Sequence, residues 1–69
     1  SPSMMLKLQE TVKEAIKIDT DLLIAHNFLG LIYVNYGEYE KAKDILLPTL
    51  IKAEDRNDHG NIANALNTI

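Results

Sequence analysis

Sixty-nine residues allow one small domain with a thin core, and at a net charge of −3 its seven Lys and Arg are interleaved with ten Asp and Glu. Nucleic acid needs a clustered basic face, which this pattern lacks. With no cysteine and two His, the chain offers neither a disulfide nor a good metal site, so no metal or cofactor is expected.

Ser1, Pro2 and Ser3 precede Met4 and Met5 and read as a cloning remnant, because a secretory signal needs a basic start and an apolar run. The most apolar window, residues 22–36, is interrupted by His26, Asn27 and Asn35. It also falls short of the roughly twenty apolar residues of a membrane span, so a buried helix is expected there and no membrane contact. The absence of targeting signals is the sole ground for expecting a cytoplasmic setting.

In chain order, residues 4–18 form the first expected helix, with Met5, Leu8, Val12, Ala15 and Ile16 on one stripe and Lys7, Glu10, Lys13, Glu14 and Lys17 outside. Asp19, Thr20 and Asp21 break the pattern, and Thr20 or Asp21 is placed to cap the next helix. The second helix, residues 21–36, is apolar nearly all round. Leu22, Ala25, Leu29, Ile32 and Tyr36 lie on one arc and Ile24, Asn27, Leu31, Val34 and Asn35 on another. Gly30, between the arcs, costs about 1 kcal/mol against Ala in mid-helix, and close approach of the following helix explains it. Gly37 ends this helix.

The third helix, residues 38–53, carries Tyr39, Ala42, Leu46, Leu50 and Ala53 inward, with a kink expected at Pro48. Leu47 and Ile51 lie off that stripe and are either covered by the last helix or exposed. A polar run, residues 54–60, then leads to a fourth helix, residues 60–69.

His26, Leu29, Gly30, Tyr33, Gly37, Tyr39, Ala42 and Leu46 are spaced in a way that resembles the tetratricopeptide repeat (TPR). His26 stands in the first aromatic place of that pattern, Leu46 in the usual Phe place, and Glu54 where Pro often closes the unit. Ala25, Asn27 and Leu29 match Ala65, Asn67 and Ile69 at an offset of forty. Together with Gly60, Ala63 and Leu66 this resembles the long-linker TPR subclass of kinesin light chains, bacterial peptide-sensing regulators and spindle-orientation adaptors.

The resemblance implies an all-α fold, a right-handed stack of antiparallel helical hairpins. It also implies a concave groove at Ile24, Asn27, Leu31, Val34 and Asn35, where Asn27 and Asn67 would hydrogen-bond the backbone of a bound peptide, an amide offering both donor and acceptor. The alternative for Ile24, Leu31 and Val34 is packing on another helix. Relatives that clamp acidic chaperone tails use Lys, Asn and Arg where this chain has Ile24, Phe28 and Leu31, which disfavours that ligand.

Two functions stay open. One is a module that binds a protein or peptide; the other is an assembly element that forms a homo-oligomer through open helical faces. Stacked repeats need about three units for a stable core, so a chain with fewer is expected to be a piece of a longer array or to pair with copies of itself. Catalysis has little footing: no phosphate-cradling loop follows a strand, and Glu10, Glu14, Asp55 and Asp58 sit in polar surroundings.

Overall fold

The computed structural model describes residues 2–68 as four helices joined by short links. They are α1 (Pro2–Ile18), α2 (Leu23–Asn35), α3 (Tyr39–Asp55) and α4 (His59–Thr68). No strand occurs among the described residues, and consecutive helices pack on one another as a stack of hairpins, with α4 also touching α2. Ser1 and Ile69 lie outside the described residues, which leaves Ile69 out of the expected match with Leu29.

Several helix boundaries have a local cause. α1 opens at Pro2 rather than Met4, so Pro2 and Ser3 belong to the helix; proline suits a first turn, where its missing N–H has no acceptor to serve. Between α1 and α2 the expected cap is not made. Leu22 occupies the cap position with no side-chain hydrogen bond, while Asp21 N–H donates to the Asp19 carboxylate at 3.1 Å, so Asp19 shapes the turn.

α2 and α3 end in the same way. Gly37, at φ +74°, donates to the Val34 carbonyl at 3.0 Å, and Glu38 N–H reaches back to Tyr33 at 2.9 Å. Asn57, at φ 54°, donates to Glu54 at 3.1 Å, and Asp58 N–H reaches back to Ala53 at 2.9 Å. Both are Schellman closures, with glycine and then asparagine in the left-handed region that tolerates them best.

This second closure corrects the expected long polar link. Glu54 and Asp55 lie in α3 and His59 and Gly60 in α4, leaving residues 56–58 as the connection. α2 and α4 therefore start thirty-six positions apart, not forty. In this register Leu29 and Ala65 are each the seventh residue of their helix, and both are buried. α3 runs as one helix through Pro48, whose outward position leaves the carbonyl four residues back on an exposed face.

The core lies between α1, α2 and α3: Val12, Ala25, Leu29, Ile32, Tyr33, Ala42 and Leu46, with Met5, Leu8, Ala15 and Ile16 packed against it. Ile32 and Leu46 are the largest fully enclosed side chains, and burying each stabilises the fold by about 1.5 to 3 kcal/mol. Tyr39, expected on the inward stripe, is exposed, as are Leu22 and Tyr36 at the two ends of α2. Thr49 is buried unexpectedly, its hydroxyl satisfied by the Ile45 carbonyl at 2.8 Å.

Gly30 faces Leu46 so closely that a methyl group at position 30 would overlap the leucine side chain. Gly30→Ala should therefore destabilise the fold by about 1 to 3 kcal/mol in chemical denaturation, despite the roughly 1 kcal/mol that alanine gains in helix propensity. Leu46→Ala alone should cost about 2 to 5 kcal/mol. Combined, the two should cost clearly less than their sum; strict additivity would mean that α3 does not rest on Gly30.

Candidate functional site

α2 and α4 are the only two helices that carry no Asp, Glu, Lys or Arg among the described residues, and they lie side by side. Their relative position is set by a polar thread. The Asn27 side-chain N–H donates to the Asn61 carbonyl at 3.2 Å and to the Asn61 side-chain oxygen at 3.0 Å. Asn61 donates in turn to Asp58, from its side chain at 2.7 Å and from its backbone at 3.2 Å. Asp58 thereby caps the opening turn of α4 through the Asn61 amide, and Asn61 links that cap to the middle of α2.

The same contacts act on the Asp58 carboxyl. Hydrogen bonds from the Asn61 side chain and then its backbone favour the charged carboxylate and hold the acid below its ordinary value of 3.8. Arg56 and His59 nearby act in the same direction.

Asn27 is 4% exposed, so it is not an open groove residue. Its N–H groups are committed to α4, and its side-chain oxygen is buried without a hydrogen-bond partner. An unpaired buried acceptor is costly, of order 1 to 3 kcal/mol. Offsetting it here are the two N–H bonds from the same amide.

Beside this thread lies a cleft of about 260 Å³, bordered by Ile24, Asn27, Phe28 and Leu31 of α2 and by Asn64 and Thr68 of α4. Ile24, Phe28 and Leu31 are exposed large apolar side chains on a helix whose other face is enclosed. The expected groove residues thus divide. Ile24, Asn27 and Leu31 share this cleft; Val34 borders a neighbouring one of about 230 Å³ with Tyr39, Ala42 and Leu46. Asn35 and Asn67 are exposed and line neither.

Phe28 was expected on the groove only as a position where acid-clamping relatives differ, and its helical spacing beside Ile24 and Leu31 is the signal that would have made it a contact residue. Asn64 and Thr68 required the true register of α4, which only the Asn57 closure reveals. Among the described residues no group of three or more His, Cys, Asp or Glu is gathered to hold a metal ion, and no helix is long and apolar enough to cross a membrane.

No protein-family description, curated protein or solved structure matches the chain.

Two measurements check this arrangement. Asn27→Ala should destabilise the fold by about 1 to 3 kcal/mol, with amide exchange accelerated chiefly in α4, because Asn61 loses its partner on α2. As for pH, the folded acid titrates below the unfolded one, so the contribution of Asp58 is complete above the unfolded value and is lost as pH falls through the folded value. Below about pH 4, α4 should lose helicity in the native protein, whereas Asp58→Asn, an uncharged cap, should flatten that dependence.

Proposed function

We propose that this chain is a protein-interaction module that holds a protein or peptide segment in the cleft between α2 and α4. One observation carries the reading: Ile24, Phe28 and Leu31 stand exposed together on a charge-free surface bordered by two polar side chains, Asn64 and Thr68. Large apolar side chains clustered in a concave site, with a few polar groups to fix orientation, are the usual makings of a recognition surface. The TPR-like spacing around Gly30 supports the same reading, since helical hairpins of that family hold ligands along the corresponding helix.

The chemistry of the cleft selects its ligand. With no Asp, Glu, Lys or Arg on α2 or α4, and no histidine lining the cleft, a carboxylate or ammonium group entering it would lose water without gaining a partner. An uncharged segment with bulky apolar residues would bury those residues against Phe28 and Leu31 and offer its backbone to Asn64 and Thr68. Asn27 serves indirectly, by holding α4 at the cleft wall.

Selection from a library of unstructured ten-residue peptides tests this. The enriched peptides should be apolar and uncharged, and their affinity should change little with salt, because no counterions are released. Leu31→Asp should weaken their binding by at least about tenfold, the penalty of placing a carboxylate against an apolar ligand. Enrichment of acidic or basic peptides, or unchanged binding to Leu31→Asp, would show that the ligand lies elsewhere.

A further inference from the structure

The outer side of α3 differs sharply from the neutral cleft. At about one hundred degrees per residue, Asp44, Leu47, Ile51, Glu54 and Asp55 share one arc of the helix. Leu47 and Ile51 are 46% and 60% exposed, and acids stand at both ends of the pair. Glu40 on the same side is paired with Lys43 at 3.3 Å, whereas Asp44, Glu54 and Asp55 enter no ion pair among the described residues. This side is an apolar ridge framed by unneutralised carboxylates.

A complementary cleft lies between α1 and the start of α3. Of about 420 Å³, it is lined by the apolar Met5, Leu6, Tyr33 and Tyr36, by Gln9, and by three charged groups, Lys13, Lys41 and Glu38. Lys13 enters no ion pair among the described residues. Lys41 lies 5.9 Å from the centre of the Tyr33 ring and 3.5 Å from the exposed Glu38 carboxylate, an attachment worth little at that exposure. The charged groups of the cleft are two lysines against one acid, whereas those framing the ridge are acids alone.

Ridge and cleft both border α3, with Lys41 ten residues before Ile51. We propose that two copies of this chain pair about a two-fold axis, the Leu47–Ile51 ridge of each seated in the α1–α3 cleft of the other. Such an isologous arrangement closes on itself, because each copy gives one ridge and receives one. Lys13 and Lys41 meet the partner's acids, fixing register and opposing other alignments, while the apolar contacts supply most of the affinity. No residue is shared with the α2–α4 cleft, which stays open in the pair.

The molar mass of the whole chain in solution, measured across a concentration series with helicity recorded on the same samples, tests the pairing. A dimer should form well below 1 mM, the concentration above which a specific contact of this kind carries little weight. Leu47→Asp with Ile51→Asp should weaken it by at least about thirtyfold while helicity is kept, since both side chains are exposed. Two charge variants provide the specific arm: Lys13→Glu with Lys41→Glu, and Glu54→Lys with Asp55→Lys. Each alone sets like charges together and should be monomeric, and an equimolar mixture should restore a dimer containing one of each.

A wild-type monomer at all concentrations, a dimer indifferent to the ridge substitutions, or a mixture that stays monomeric would each overturn the proposal. The second result would place self-association at the free faces of α1 and α4 instead. Peptide capture by the α2–α4 cleft is read separately, so neither result decides the other.

Discussion

The contact between Gly30 and Leu46 is the constraint on which the rest of the structure depends. Because position 30 has no side chain, the leucine of α3 rests against the backbone of α2, and the two helices approach more closely than any larger residue would allow. Leu46 is thereby enclosed, Ala42 is drawn in beside it, and Leu29, Ile32 and Tyr33 close over the same space. In a chain of this size few side chains are fully buried, so each contributes a large share of the marginal stability. The helix-propensity cost of one glycine is small beside the burial it permits.

Once α3 is fixed on α2, the position of α4 follows from both. Its own apolar content is slight: Ala65 is its one buried residue, and most of its surface is amide or small side chain. Packing alone would hold such a helix loosely. The thread from Asn27 through Asn61 to Asp58 supplies direction, because hydrogen bonds with defined donors and acceptors are satisfied in few arrangements. The buried, unpaired oxygen of Asn27 accompanies this specificity, and an apolar residue in its place would avoid that cost but lose the tie to α4.

Charge is partitioned by helix. α2 and α4 are neutral and form a cleft where an uncharged ligand loses little on leaving water, whereas α1 and α3 carry the lysines and most of the acids. On the charged helices, exposed pairs such as Lys17 with Glu14 add little to stability. Their arrangement leaves acids alone beside the Leu47–Ile51 ridge and two lysines against one acid in the cleft beside α1. The two surfaces differ in chemistry and share no residue.

The sequence by itself determined the number of helices, their order and most of the core, because helical periodicity in Met5, Leu8 and Val12, or in Ala42, Leu46 and Ala53, reports directly which side is covered. It also marked Gly30 as a point of close approach, since a mid-helix glycine has a cost that packing must offset. Tertiary structure alone decided the register of α4. The polar run of residues 54–60 reads as a link, yet Glu54 and Asn57 close α3 within it, and the choice depends on a left-handed asparagine that composition does not reveal. The same holds for Asn27: its place on an otherwise exposed arc suggests a residue facing solvent or a ligand, and only the arrival of Asn61 from thirty-four residues away buries it. Periodicity records the face a residue occupies on its own helix, whereas burial is set by what distant segments bring against that face.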